Sequence, residues 1–403
     1  MKKLSLFLMM MAFITLGACK KDKDSGESFS GGTPEDHKIA MQKDASEVAK
    51  KLDDMQDLKA MVVMEEFMDL MVESNDLYYA IENTLKSAVA LKGGANSVFV
   101  SGFEDDAFSF NDWYAGETGI FTYNEVTHEW DKKPSSSELK YIFNSKEDGK
   151  VVIQVSEFKA LGISNPELTP ELSDLLTSAK ASLTADGEIL MTIAFSASYD
   201  KDGIPASFEQ AIILDEYAMS FKASKSKSSV AFDYSFKYQA ENILSAHFDS
   251  KGNFDFEEIE NAIEIDMDSE EGILQQEVVQ SSNVWIALGN FKFDGFANWK
   301  NLGEQFPIID EESEEGMTAV EAKGMAKALD SNVKVYLRYF DSNKVIAKSE
   351  FYAKSYDDYD HVYWDFSMAM RFADGSAMDE SFLLEGFGGY MAGLAGIFGD
   401  IEE

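Results

Sequence analysis

The chain predicts a strand-rich α+β fold: a curved antiparallel meander, half-barrel-like, with an N-terminal helical pair on one face. Three observations carry that expectation. Apolar residues recur at three- and four-residue steps from about Asp44 to Val89, the period of a helix face. After Gly94 the period falls to two, in segments rich in aromatic and β-branched residues. Asp-Gly pairs at Asp148-Gly149, Asp186-Gly187, Asp202-Gly203 and Asp374-Gly375 suit the positive backbone angles of tight hairpin turns, so they join consecutive antiparallel strands.

The segment 37–94 is helical. Val48, Leu52, Met55, Leu58 and Val62 form an apolar stripe that Phe67, Leu70 and Met71 continue. Asn75-Asp76 interrupts it, and Leu77, Ile81, Leu85 and Val89 begin a second stripe that Gly93-Gly94 can end, giving a helical hairpin or one bent helix. Met55, Met61, Met64, Met68 and Met71 read as packing side chains, since a soft-metal tract usually brings histidine or cysteine with it.

The meander occupies 95–270. Its best-defined part is 188–254, where 189–195, 207–214, 217–221 and 230–238 run back and forth. In 230–238 aromatic side chains alternate with small or polar ones, so one face is buried and the other meets water or a cavity. Leu168, Leu172, Leu175 and Leu176 are spaced as on a helix and place an inserted helix at 166–182. Residues 269–272 are a candidate divide. Beyond it, 271–403 is a further α+β part: strands at 284–288 and 291–293, an acidic loop at 310–316, a helix at 317–329, and strands at 333–340, 345–352 and 361–372. The apolar tail 382–398 is broken by glycines and too short to span a bilayer, so it docks on the sheet as helix or coil.

Composition excludes several functions. There are 73 acidic and 35 basic residues, a net charge of −38, and only Arg338 and Arg371 are arginines. Phosphate and nucleic-acid recognition leans on basic patches and arginine forks, so nucleic acid is not a partner. At 45% hydrophobic and 13% aromatic, the chain has the material for a packed core despite its charge. Its single cysteine, Cys19, permits no intrachain disulfide.

Sites for chemistry are few. No Gly-x-Ser-x-Gly elbow, His-Glu-x-x-His or Cys-x-x-Cys occurs, so catalytic, metal and cofactor residues are expected to be absent. The histidines are His37 by the tether, His128 before Glu129, His247 in a strand, and His361 amid Asp357, Asp358, Asp360 and Asp365, read as an exposed loop residue. Gly386, Gly388 and Gly389 lack the lysine and the strand-to-helix setting of a phosphate loop. Asp266, Asp268, Glu270 and Glu277 resemble the calcium loop of EF-hand proteins. The family's sixth-position glycine is displaced, however, with Glu271 sixth and Gly272 seventh, so a solvated acidic turn is the simpler reading.

The front of the chain speaks to location. Met1-Lys2-Lys3, the apolar run 4–18 and small residues before Cys19 form a secretory leader, shorter than the roughly 20 residues a bilayer span needs. Leu16-Gly17-Ala18-Cys19 resembles the lipobox of bacterial lipoproteins. The resemblance implies that 1–18 is removed and that Cys19, as the new first residue, carries two or three acyl chains (palmitate or its like). That is enough for lasting anchorage at about 0.8 kcal/mol per methylene. Residues 19–36, glycine- and serine-rich, then form a flexible tether. Lys20-Lys21-Asp22-Lys23-Asp24 resembles the tag that sends some lipoproteins of one Gram-negative group to the outer face of the outer membrane.

In element order alone the body is similar to periplasmic lipoprotein carriers whose half-open barrel cradles acyl chains. The expectation is a non-enzymatic lipoprotein of the cell envelope, anchored to the outer membrane on its periplasmic or cell-surface face. It would present a binding surface to a protein, a glycan or an apolar ligand. The alternatives are an envelope-polymer hydrolase acting through carboxylates, and a calcium-stabilised binding module.

Overall fold

A computed structural model describes residues 28–55, 57–72, 109–162, 174–200, 205–254, 279–305, 317–358, 361–378, 382, 385–388 and 390. Cys19, the acidic turn of Asp266, Asp268, Glu270 and Glu277, the Asp202-Gly203 turn, the acidic stretch 310–316 and the stripe 77–89 lie outside them. The helices are α1 (Pro34–Asp54), α2 (Lys59–Val72), α3 (Phe110–Glu117), α4 (Trp299–Gln305) and α5 (Ala319–Asn332). The first strands are β1 (Gly119–Asn124), β2 (Glu129–Lys133), β3 (Leu139–Ser145), β4 (Gly149–Gly162), β5 (Asp174–Ala185), β6 (Glu188–Tyr199), β7 (Pro205–Leu214) and β8 (Tyr217–Ser226). Then follow β9 (Ser229–Tyr238), β10 (Glu241–Gly252), β11 (Val279–Leu288), β12 (Phe291–Ala297), β13 (Val333–Tyr339), β14 (Val345–Asp358) and β15 (His361–Phe372).

The chain is β-rich α+β, with its first helices at the N-terminal side. Among the described residues fifteen strands form one open sheet in the order β15-β14-β13-β12-β11-β10-β9-β8-β7-β6-β5-β4-β3-β1-β2. From β3 to β15 each strand neighbours the next in sequence, as hairpin punctuation predicts. The Asp186-Gly187 turn between β5 and β6 shows why: both residues have positive φ, 47° and 84°, the geometry that Asp-Gly supplies.

Three sequence expectations are corrected. The inserted helix at 166–182 is not formed where it is described, because Asp174–Ala185 is strand β5, paired on one side with β4 and on the other with β6. Leucine spacing at its start looks helical, but Thr177 and Thr184 favour strand, and Ala179, Ala181, Leu183 and Ala185 recur every second residue. The sheet is not wholly antiparallel, since β1 runs parallel to β3. The cause is β2, Glu-Trp-Asp-Lys-Lys, whose exposed charges suit an outer edge, so the next strand returns on the far side of β1. The stripe running through Val48 and Phe67 is two helices, not one. Asp53 and Asp54 set carboxylates at the C-terminal end of α1, where the helix dipole disfavours them, and α1 ends there, before α2 begins at Lys59.

Two compact units divide the chain: a middle unit, Asp54–Lys222, and a flanking unit, Met1–Asp53 with Ala223–Glu403. In the middle unit α2 buries Ala60, Val63, Phe67 and Met71, one face of the helix. Phe67 meets Trp130 and Tyr141 edge-on and stacks on Phe143 at 5.8 Å, so the helix is pinned to β1–β3 by aromatic rings. Short α3 is capped from a distant strand. The buried Asp174 carboxylate accepts hydrogen bonds from Phe110 N (2.6 Å), Asn111 N (3.0 Å) and Ser109 Oγ (3.1 Å). Those N–H groups have no partner within the helix.

In the flanking unit α1 buries His37, Met41, Ala45, Val48 and Leu52. The close approach of Gly386 explains a glycine that a phosphate-loop reading would misplace: a Cβ there would fall 2.8 Å from Met41 Cε. Helix α5 starts where the sequence places it, at a capping box in which Thr318 Oγ accepts from Glu321 N and the Glu321 carboxylate accepts from Thr318 N. Its apolar side, Ala328 and Leu329, packs with Ala297, Leu302 and Val333 against Phe351 and Phe366. The last residues assigned to the tether are already bound. Ser30 N donates to Val345 O (2.8 Å) and Val345 N to Ser28 O (3.3 Å), adding a short parallel bridge to β14. No helix among the described residues is long and apolar enough to cross a membrane.

Candidate functional site

Register sorts the flanking unit's side chains onto two faces, because residues directly opposite in neighbouring strands share a face. One transverse row runs Tyr234, Ala246, Ile286, Phe293, Leu337, Ala347, Phe372. It is apolar, and Phe387 packs on it at Phe293. The adjacent row, one residue along each strand and so on the opposite face, runs Asp233, His247, Trp285, Asp294, Tyr336, Lys348, Arg371. It is polar and aromatic throughout, the best-organised constellation of chemically able side chains among the described residues.

His247 sits between two carboxylates. Its Nδ1 lies 2.7 Å from Asp233 Oδ1 and its Nε2 3.1 Å from Asp249 Oδ2, while Asn283 Nδ2 donates to Asp249 Oδ2 at 2.8 Å. Burial pulls the ring's basicity down, but the two hydrogen-bonded carboxylates and their charges push harder, and the net shift is upward. Protonated, both ring N–H groups donate. In that protonated form the ring has no lone pair with which to abstract a proton or bind a metal.

Beside it Trp285 stacks on the imidazole with centroids 5.8 Å apart and planes 21° from parallel, and Lys292 Nζ lies 5.7 Å from the indole. Lys292 donates to Asn343 Oδ1 (3.0 Å). Arg338 Nε donates to Asp294 Oδ2 (3.0 Å), with its guanidinium 4.2 Å from the Tyr336 ring centroid. Burial lowers the Lys292 pKa, Asp294 works against that and the nearby Arg338 adds to it. His247 lies between Asp233 and Asp249, Lys292 and Arg338 lie beside Asp294, and Arg371 pairs with Glu350, while the faces of Trp285 and Tyr336 carry cations. Such a surface has the chemistry to recognise a ligand by stacking and hydrogen bonding.

His37 forms a second cluster. Its Nε2 lies 2.9 Å from Ser30 Oγ and its Nδ1 2.9 Å from Tyr339 OH. A serine beside a histidine suggests a hydrolytic pair, yet the ring is 3% exposed, Ser30 is buried too, and a tyrosine stands where a carboxylate would orient the ring. Burial lowers the His37 pKa, offset in part by Gly32 and Asp36. The cluster clamps the bound end of the tether to β13.

The two histidines predict opposite pH dependences. His37 is less basic folded than unfolded, so its contribution to stability is full above about pH 6.5 and falls as pH drops below that value. His247 is more basic folded, so its contribution is full below about pH 6.5 and is lost as pH rises through its folded pKa. Thermal melts from about pH 5.5 to about pH 8 should show the deficit of His37→Gln growing with pH and that of His247→Gln shrinking. Parallel profiles would contradict both assignments.

Of the other residues singled out in the sequence, His128 lies in the exposed β1–β2 turn, at φ 58° and 3.2 Å from Tyr123 OH. His361 opens β15 instead of lying in a loop, and Asp357, Asp358 and Asp365 belong to the same hairpin. Among the described residues no group of three or more His, Cys, Asp or Glu side chains is placed to hold a metal ion. Sequence reading singled out His247 and Arg338 but not Asp233, Trp285, Lys292 or Asp294 as their partners. The alternation in those strands marks a polar face; which strand neighbours which is not written in it.

No protein-family model matches this chain, no curated protein matches it, and no solved structure matches it.

Proposed function

We propose that this is a lipid-anchored lipoprotein of the cell envelope whose body binds a ligand or partner and performs no catalysis. The anchor is read from Leu16-Gly17-Ala18-Cys19, where the chain's single cysteine occupies the one position lipidation requires. The binding role is supported by one observation above the rest. Along the Asp233–Arg371 row His247 is held between Asp233 and Asp249, and Arg338 is held by Asp294, beside Trp285 and Tyr336, an arrangement suited to recognition by stacking and hydrogen bonding. A strongly acidic body is repelled by anionic lipid surfaces, which suits a globule held by a tether.

Fractionation of cells carrying Cys19→Ala tests the anchor. The variant should leave the membrane fraction and lose the acyl mass at its amino terminus. Wild-type partitioning with an unacylated terminus would end the proposal. Turnover of an envelope polymer by the purified wild-type chain, abolished by a clustered Asp/Glu substitution that leaves the fold intact, would end the non-enzymatic half.

A further inference from the structure

The face that carries the polar row continues along the β14–β15 hairpin. Strand period two places Lys348, Glu350, Tyr352, Lys354 and Tyr356 on one side of β14, and pairing sets Arg371, Ala369, Ser367, Asp365 and Tyr363 opposite them. Inward from the Asp358–His361 backbone pair at the tip, the rungs on this side run Tyr356 against Tyr363, Lys354 against Asp365, then Tyr352 against Ser367. All three tyrosines face solvent, with 37%, 44% and 39% of Tyr352, Tyr356 and Tyr363 exposed. Lys354 Nζ lies 4.7 Å from the Tyr356 ring centroid, and Arg371 pairs with Glu350. Strand β15 is the outer strand of the sheet, so this strip lies at its margin.

We infer that this tyrosine strip binds an uncharged glycan chain, an inference that rests on the binding role proposed above and names its ligand class. Charge decides against the other polymers. Between the tyrosine rungs the one charged rung is balanced, Lys354 opposite Asp365, and farther along the hairpin Arg371 pairs with Glu350, so the tyrosines flank no net charge for a charged ligand to seek. The protein's net charge of −38 repels polyanions.

Pattern decides against a protein. The core of a protein interface is a continuous apolar patch from which charges are depleted, whereas here a charged rung separates each aromatic rung from the next. Tyr352 and Tyr356 stand four residues apart, about 13 Å by strand rise, so separate sugar rings of one chain can reach them. A pyranose matches each element: its C–H face lies on a tyrosine ring, and its equatorial hydroxyls reach the lysine, aspartate and serine between.

Affinity electrophoresis of the full chain in neutral detergent, through gels containing dextran, xylan, mannan or a mixed-linkage β-glucan, tests this. At least one neutral polysaccharide should retard the protein, and raising the salt should not release it, since no ion pair holds it. Calorimetry with a hexasaccharide of that polymer should give a Kd at least about tenfold weaker for the Tyr356→Ala/Tyr363→Ala variant. The variant's thermal melt should match wild type, because both rings are exposed.

No retardation by any neutral polysaccharide overturns the inference, as does retention of full affinity by the double variant. Retardation only by a charged polysaccharide, lost in salt, overturns it as well. So does efficient crosslinking of a photoreactive residue at position 356 to an envelope protein, which would leave the binding role standing. Failure of the anchor shows separately, in the partitioning of Cys19→Ala.

Discussion

Replacing Gly289 by alanine should destabilise the flanking unit by about 3 kcal/mol, a fall in melting temperature on the order of 10 °C. Gly289 begins the two-residue turn between β11 and β12 at φ 54°, a conformation that costs an L-residue about 1–2 kcal/mol. A Cβ there would also run into the Asp44 carboxylate and crowd the Tyr390 ring. Asp44 cannot retreat without loss. It accepts from Asn290 N at 2.8 Å and from the buried Tyr390 hydroxyl, tying α1, the β11–β12 turn and the C-terminal residues together. Burial, then the bond to Asp44, pushes the Tyr390 pKa far up, so that hydroxyl stays a donor. The turn also receives Asn242 Nδ2 on Gly289 O (2.8 Å) and gives Gly289 N to Ile243 O (2.9 Å). Urea melts check the magnitude. Because Asp44→Ala removes the obstructing group, the double variant should lose less than the sum of the two single variants. Strict additivity would show that the clash is not what the alanine suffers from.

Phe67→Ala should cost the middle unit about 3–5 kcal/mol, the range for emptying a buried phenylalanine site. Phe67 is fully buried, with Tyr141 at 5.6 Å, Phe143 at 5.8 Å and Trp130 at 6.1 Å between ring centroids. Each such pair contributes about 0.5–1.5 kcal/mol beyond area burial, so three lost together explain an effect at the upper end. Phe67→Leu should cost distinctly less, since most of the volume stays filled. Hydrogen exchange locates the damage. Amides of α2, β1 and β3 should lose protection, whereas β11–β13 of the other unit should keep theirs. Equal loss in both units would mean that the chain unfolds as one cooperative body.

What the residues announce is local. Asp186-Gly187 announces a hairpin because only a few residue types accept two positive φ values in succession, and Thr318-x-x-Glu321 announces a helix start because its side chains answer orphan N–H groups nearby. Strand-rich character and the hairpins at Asp148-Gly149 and Asp186-Gly187 were legible for that reason, and the helix expected over 317–329 forms as Ala319–Asn332. The errors fell where a local signal was outvoted. Leucines at helical spacing suggested a helix at 166–182, and pairing with β4 and β6 made 174–185 a strand. Residues 28–30 read as tether by composition, yet Val345 of β14, paired with Arg338 on one side and lying beyond the β15 pairing on the other, was there to receive them.

The alternation of apolar and polar side chains along each strand, and with it the existence of two unlike faces, is written in the residues alone. The residues also fix the strongly acidic charge and place a lone cysteine in a Leu-Gly-Ala-Cys sequence near the front. Only the tertiary structure decided that Asp233, His247, Trp285, Asp294 and Tyr336 stand in one row, and that three tyrosines gather on the outermost hairpin. Strand neighbours and register depend on pairings between residues far apart in sequence, as Phe291 with Tyr339. No spacing within a strand encodes those pairings, and a shift of one residue would have put every one of these side chains on the opposite face.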